Sequence, residues 1–258
     1  MDAVSRDRLI AGAGTGADAW RADPALGAIA GIGAADLAPP AARLVVVAPH
    51  PDDEILACGG LLQLLVSPAP LLVAVTDGDA SHPGSGAWPP ARLRRERPRE
   101  TLAALDCLGI PPPQIARLGI PDGGIAARED ALARRLAALF RPGDVVVTTW
   151  RYDGHPDHEA TARACLAAAD GCGARVWEAP VWGWHWSAPG DGAMPIAHAR
   201  RLSLPAPVLA RKRRAMGCFQ SQLQPDPTRD APPVVSPRAL ERVLMPFELY
   251  FHDPARTF

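Results

Sequence analysis

Apolar runs of strand length alternate with stretches of helical periodicity through the middle of this chain. The predicted strands cover residues 43–48, 71–76, 116–118 and 144–149. The predicted helices cover residues 55–66, 91–108, 129–140 and 159–169. Such alternation is typical of βαβ units. The pattern therefore predicts an α/β fold with a Rossmann-like, mainly parallel sheet flanked by helices.

The two ends of the chain depart from this alternation. Residues 1–40 are rich in Ala and Gly, have a weak helical pattern and end in Pro39-Pro40, so we expect an N-terminal helical extension. Residues 41–258 are predicted to form a single domain. Within it, the region from about 176 to 258 has crowded tryptophans followed by a Pro-rich stretch, and we expect it to form an accessory cap.

Composition narrows the class of protein. A chain of 258 residues with 48% hydrophobic content can bury a substantial core, and its net charge of -1 offers no cationic excess for a nucleic-acid partner. The five cysteines form no CxxC pair, which argues against a thiolate zinc site. The N-terminus lacks the apolar core of a signal peptide, and the longest apolar stretch is too short to span a bilayer. We expect a cytoplasmic protein without an integral membrane segment.

Histidines and carboxylates follow two of the predicted strands. The string Ala48-Pro49-His50-Pro51-Asp52-Asp53-Glu54 follows the first strand, and Tyr152-Asp153-Gly154-His155-Pro156-Asp157-His158-Glu159 follows the fourth. Parallel strands end at the same edge of a sheet, so the two clusters can converge. Taken alone, each cluster could instead be an ordinary helix start, since Asp is a good N-cap. Together they favour a metal site.

The residue types in the two clusters indicate hydrolysis of an amide. Two imidazoles and one carboxylate, from His50, His158 and Asp53, suit a catalytic zinc with open coordination positions. Zinc lowers the pKa of bound water toward ~7, and the adjacent Asp52 would be free to take its proton. His155, near the metal but not bound to it, could stabilise an oxyanion or protonate a leaving amine.

Both strings resemble those of the LmbE-like, or PIG-L, family of zinc-dependent N-deacetylases, which act mainly on N-acetylglucosaminyl conjugates. The run Arg97-Pro98-Arg99-Glu100 resembles the family's Arg-x-x-Glu helix, and Pro121-Asp122-Gly123 resembles its Pro-Asp-Gly turn. The resemblance covers roughly residues 43–222.

The resemblance implies a role for each matching residue. It implies one zinc ion per chain, bound by His50, Asp53 and His158. It implies Asp52 as general base, His155 as support for the tetrahedral intermediate, and Arg97 and Asp122 as contacts to substrate hydroxyls. Some members carry a mobile tyrosine where this chain has Gly154, and whether Tyr152 takes that part stays open. Without the resemblance, Arg97 would belong to a solvated basic helix face and Asp122 to a turn.

Three tryptophans alternate in the C-terminal region, at positions 182, 184 and 186. On a strand their indoles would share one face. That face would form a platform for a sugar ring or acyl group, with Trp184 as a substrate contact. The alternative is a hydrophobic patch beneath the cap.

The leading hypothesis is a zinc-dependent hydrolase that removes an N-acetyl or other N-acyl group from an amino-sugar conjugate. Its partner would be a small amino-sugar or glycoconjugate substrate. One alternative is a zinc amidohydrolase acting on a non-sugar natural-product or cofactor precursor. Another is a carbohydrate-binding protein without turnover, against which the complete ligand set and Asp52 argue.

Overall fold

The computed structural model describes residues 8–65, 69–111 and 113–252. Three parts of the predicted organisation lie outside these residues. They are the first seven residues of the N-terminal extension, residue 66 at the end of a predicted helix, and the last six residues of the cap region.

A central sheet of seven strands runs in the order β3-β2-β1-β4-β5-β7-β6. The strands are β1 Leu44–Ala48, β2 Leu71–Ala74, β3 Gln114–Arg117, β4 Val145–Thr149, β5 Arg175–Ala179, β6 Ala199–Ser203 and β7 Phe247–Phe251. The first five strands pair in parallel, and β7 is antiparallel to both β5 and β6. The predicted α/β fold with a mainly parallel sheet is confirmed.

Helices cover both faces of this sheet. They are α1 Ala17–Arg21, α2 Pro24–Ala28, α3 Ala34–Leu37, α4 Asp53–Leu64, α5 Pro90–Leu108, α6 Glu129–Ala137, α7 Pro156–Asp170, α8 Gly183–Trp186, α9 Ala206–Met216, α10 Gln220–Leu223 and α11 Pro237–Val243. Short 3₁₀ turns lie at Ala126–Arg128 and Ile196–His198. Alternate residues of β1 enter different cores, as a strand buried on both faces requires. Val46 packs in the core that includes α4, whereas Val45 and Val47 pack in the core that includes α6 and α7.

The strand order reverses between β1 and β4. From β1 the chain proceeds to β2 and β3 on one side, and from β4 to β5 on the other. The crevice beyond the carboxyl ends of strands at such a point is where open α/β sheets bind ligands. The two predicted clusters follow these two strands, so the fold places them on either side of that crevice.

Both terminal regions pack on the sheet domain. Trp20 of α1 meets the ring of Trp184 edge to face at 5.2 Å, and its indole N–H donates to the Trp184 carbonyl at 2.9 Å. The C-terminal region supplies β6 and β7 to the sheet itself. The division into an extension, a domain and a cap stays a prediction. No helix within the described parts of the chain is long and apolar enough to cross a membrane.

Candidate metal centre

The predicted convergence of the two clusters is present. The loop after β1 carries His50, Asp53 opens α4, and His158 lies in the first turn of α7, which starts at a proline. Asp53 Oδ2 lies 3.2 Å from His50 Nδ1 and 3.2 Å from His158 Nε2. All three side chains are buried, and one donor atom from each lies within 4.8 Å of the others. Two imidazoles and a carboxylate thus face one point.

Carboxylates also contact the far side of each imidazole ring. Asp153 Oδ2 lies 2.8 Å from His158 Nδ1. His50 Nε2 lies 3.2 Å from Asp122 Oδ1 and 3.3 Å from Asp157 Oδ2. Carboxylates in such positions fix the orientation and tautomer of metal-binding histidines. Asp122 and Asp157 are thus placed to orient the ring of His50.

Asp153 is the site residue that sequence reasoning did not single out. It is fully buried, and its two oxygens accept the main-chain N–H groups of three consecutive residues, Val181, Trp182 and Gly183, at 2.8 to 3.0 Å. Three N–H donors hold this carboxylate in one position. The only signal in the sequence was its place five residues before His158, because the amides that hold it come from the loop after β5.

Replacing Asp153 by asparagine is expected to weaken zinc binding about 10- to 100-fold. The asparagine amide has only one oxygen that accepts hydrogen bonds. Its NH2 group cannot replace the second carboxylate oxygen that Asp153 offers to His158 and the three N–H groups. Zinc affinity would be measured by competition with a chelator. Asp144→Asn is the matched control, because Asp144 is also a buried carboxylate but lies before β4, at the opposite edge of the sheet. An unchanged zinc affinity in Asp153→Asn would exclude the orienting role.

The surrounding carboxylates favour positive charge on both imidazoles. Burial alone would lower the pKa of His158, but Asp53 and Asp153 outweigh it and raise this pKa to about 9. Burial likewise works against protonated His50, yet the neighbouring carboxylates hold its pKa well above the usual value. Burial would raise the pKa of Asp53, and the His158 charge holds it below its ordinary value instead. The site therefore attracts a cation.

The donor set fits zinc. Two imidazole nitrogens and one carboxylate oxygen are common protein ligands of catalytic zinc, which keeps further positions open. Each imidazole has a carboxylate behind it, as zinc-binding histidines do. Among the described residues, His50, Asp53 and His158 would hold the ion, and we call these three side chains the metal set.

Asp52 lies beside this set in a constrained backbone conformation. Its φ is 118°, a value that L-residues rarely adopt and that costs on the order of 1–3 kcal/mol. Two contacts fix it: its N–H donates to Glu54 Oε2 at 3.0 Å, and its Oδ2 lies 3.3 Å from Arg97 Nη2. Burial raises the pKa of Asp52 to about 7, although the Arg97 charge works to lower it. Such backbone strain is concentrated at functional sites.

Arg97 is buried rather than part of a solvated helix face. Its guanidinium donates to the carbonyl oxygens of Gly78 at 2.8 Å and Pro51 at 2.5 Å, in addition to Asp52. A Cβ at Gly78 would lie 1.9 Å from Arg97 Nη1, so this approach requires glycine. Arg97 thus holds the loop that carries Asp52. Its predicted contact to substrate stays a prediction.

A cavity of about 350 Å³ opens onto the metal set. Seven of the eight predicted site residues line it, namely His50, Asp52, Asp53, Arg97, Asp122, His155 and His158. The other side chains that line the cavity are of two kinds. Ser81 and Gln222 are polar, whereas Leu56, Trp182, Val234 and Val235 are apolar.

Comparison with known proteins shows a resemblance to one protein family. Residues 45–169, which contain both clusters, match the family model described as PIG-L, GlcNAc-PI de-N-acetylase. This match confirms the resemblance to the PIG-L family that the two histidine-carboxylate strings indicated.

Related proteins agree with the PIG-L match. The chain is 28% identical over 135 residues to a probable N-acetyl-alpha-D-glucosaminyl L-malate deacetylase 2 of Bacillus cereus, an alignment that covers 49% of this chain and 60% of that protein. The chain thus spans less than two thirds of the length of this curated relative.

Solved structures share the fold of this chain. A conserved protein of Thermus thermophilus has a TM-score of 0.56 and 24% identity, covering 84% of this chain and 96% of that one. A teicoplanin deacetylase in a zinc-inhibited form has a TM-score of 0.54 and 22% identity, covering 70% of this chain and 85% of that one.

His155, for which the PIG-L resemblance implies a catalytic role, lies next to the two histidines of the metal set. Its ring centre is 4.9 Å from that of His50 and 4.7 Å from that of His158. Its Nδ1 accepts the Asp157 N–H at 3.3 Å and so caps α7. Burial, followed by the charges of the two other histidines, lowers the pKa of His155 to about 3. A neutral ring whose Nδ1 accepts must carry its proton on Nε2.

The tryptophan platform expected from a strand was wrong. Trp184 and Trp186 lie in α8, and Trp182 precedes it, so the three indoles do not share a strand face. The loop turns into a helix here because Asp153 accepts the N–H groups at its start. Trp184 is 4% exposed, contacts Trp20 and does not line the cavity, whereas Trp182 does. Tyr152 is 53% exposed and does not line the cavity either.

Proposed function

We propose that this chain is a zinc-dependent hydrolase that removes an N-acetyl or other N-acyl group from an amino-sugar conjugate. The observation that carries the proposal is the buried set of His50, Asp53 and His158 at the floor of a cavity that Asp52 also lines. The PIG-L match over the same residues supports the amide as the bond that is broken.

The residues that line the cavity would have different roles in the hydrolysis. His50, Asp53 and His158 would hold the zinc, which would lower the pKa of a bound water and polarise the acyl group. Asp52 accepts the proton of the attacking water. Arg97 keeps the Asp52 carboxylate in place through its contacts to the same loop.

His155 would act on the other side of the reacting carbon. Because its Nδ1 accepts a main-chain N–H, its Nε2–H is the group available for donation. That N–H can donate to the oxyanion that develops on the acyl oxygen. Asp52, which holds the proton taken from the water, then transfers it to the departing nitrogen, so that the C–N bond breaks and a free amine and a carboxylic acid are released.

The polar residues that line the cavity would bind the sugar. Asp122 lines the cavity, and its Oδ2 accepts the Ala80 N–H at 2.8 Å, which holds the carboxylate in place. A fixed carboxylate beside Ser81 and Gln222 suits the hydroxyl groups of a sugar ring. The similarity to a protein named as an N-acetylglucosaminyl malate deacetylase supports an amino sugar at this position.

A substrate panel tests this proposal. Zinc-loaded protein would be incubated with N-acetylglucosamine conjugates that carry different aglycones, and with non-sugar acetamides of similar size. Release of acetate would be measured in each case. We expect release from the sugar conjugates in preference to the others. Release from non-sugar amides alone would favour the amidohydrolase alternative, and no release from any amide would favour a binding protein.

A further inference from the structure

Helix α4, which begins with the metal ligand Asp53, is broken in its middle. Cys58 has φ -143° and ψ 22°, outside the helical region. In a regular helix the Gly60 N–H would donate to the Leu56 carbonyl, and the Leu61 N–H to the Ala57 carbonyl. At the break these peptide groups need other partners, because an unpaired buried peptide group is costly.

An ion pair from distant parts of the chain occupies the first of these two gaps. Lys212 Nζ donates to the Leu56 carbonyl at 3.0 Å and to Glu248 Oε1 at 2.6 Å. The same oxygen accepts the Gly60 N–H at 2.6 Å. The lost helix hydrogen bond between residues 56 and 60 is thus replaced by a chain of three charged hydrogen bonds, which are stronger than neutral ones.

Tyr250 completes the second gap in the same way. Its hydroxyl donates to Glu248 Oε2 at 2.8 Å and lies 3.5 Å from the Ala57 carbonyl oxygen. Glu248 Oε2 also accepts the Leu61 N–H at 2.8 Å. Side chains inserted into the hydrogen-bond ladder are a recognised cause of helix kinks.

The surroundings leave little freedom for this insertion. Lys212 and Tyr250 are 0% exposed and Glu248 is 4% exposed. A Cβ at Gly60 would lie 2.4 Å from a Leu204 methyl group and 3.0 Å from the Glu248 carboxyl carbon. A buried ion pair is weak evidence for stability, because its desolvation cost offsets its attraction. The buried pair of Lys212 and Glu248 is therefore better explained by a specific structural role than by a contribution to the free energy of unfolding.

We propose that Lys212, Glu248 and Tyr250 are positioning residues that fix the bend of α4 and so the place of its first turn. That turn carries the metal ligand Asp53 at its start and the cavity side chain Leu56 next to the break. If the bend relaxes, Asp53 moves relative to His50 and His158, which belong to other elements. This inference rests on the proposed zinc site.

The test compares zinc affinity with stability. Lys212→Met removes the cation, and Arg43→Met is the matched control because Arg43 also contacts one carboxylate, Asp144 at 2.5 Å, and one carbonyl, Leu139 at 2.8 Å. Arg43 precedes β1, at the edge of the sheet opposite the metal site. Zinc affinity would be measured by chelator competition, and stability by the thermal midpoint.

Both substitutions are expected to lower the thermal midpoint, but only Lys212→Met is expected to weaken zinc binding, about 10- to 100-fold. A lower midpoint with zinc affinity equal to that of the parent would overturn the inference. If Lys212→Met does not fold, Tyr250→Phe decides in the same way, since it removes only the hydroxyl that contacts Glu248. His158→Ala serves as a reference: if it too retained zinc, the ligand assignment itself would be wrong.

Discussion

Asp52→Asn is expected to lower kcat for deacetylation by about 10²- to 10⁴-fold, while zinc remains bound. The amide of asparagine has nearly the same shape as the carboxylate but cannot accept the proton of the attacking water. Acetate release by the zinc-loaded variant, together with its zinc content, would measure both parts of this result.

A second carboxylate at the same edge of the sheet provides the control for Asp52. Asp79 lies in the loop after β2 and pairs with Arg94 at 2.7 Å, without contact to the metal set. Asp79→Asn should therefore leave kcat unchanged. Full activity in Asp52→Asn would remove Asp52 from the reaction, and loss of zinc in that variant would instead show a part in metal binding.

His158→Ala is expected to abolish stable zinc binding, and activity with it. The substitution removes one of three protein ligands and leaves Asp53 and Asp153 facing each other without the imidazole between them. Because the remaining two ligands cannot complete the set that structural and catalytic zinc sites use, zinc should be lost on dialysis. Metal analysis after dialysis would show this directly.

His252→Ala is the control for this loss. His252 is a partly buried histidine whose Nδ1 lies 3.0 Å from the carbonyl oxygen of Val176 in β5, away from the metal set. The zinc content of that variant should equal that of the parent. If His158→Ala kept zinc as tightly as the parent, the ligand set would have to be assigned again.

The sequence was most informative where chemistry follows a strand. Strand β1 is wholly apolar and β4 begins with three valines, so both strands could be located, whereas α7 begins at Pro156, before the predicted start at residue 159. Since parallel strands end at one edge, the meeting of His50 and His158 followed from topology alone. The metal set was predictable because its members stand next to regular elements.

Contacts between segments that are far apart in the sequence could not be predicted. Asp153 depends on three N–H groups of the loop after β5, and Arg97 on carbonyl groups of two other loops. The tryptophan spacing suggested a strand, but capping by Asp153 turned that segment into a helix. The insertion of Lys212 and Glu248 into α4 has no signature in the sequence. These two residues are 36 positions apart, and Lys212 is 156 positions from Leu56, the helix residue that it contacts.

Removal and return of the metal tests most directly whether this chain is a zinc-dependent deacetylase. Acetate and free amine would be measured from an N-acetylglucosamine conjugate before chelation, after chelation and after addition of one equivalent of zinc. We expect equal amounts of both products, loss of both on chelation and recovery of both with zinc. Hydrolysis that continues at the same rate in chelated protein shown to be free of metal would contradict it.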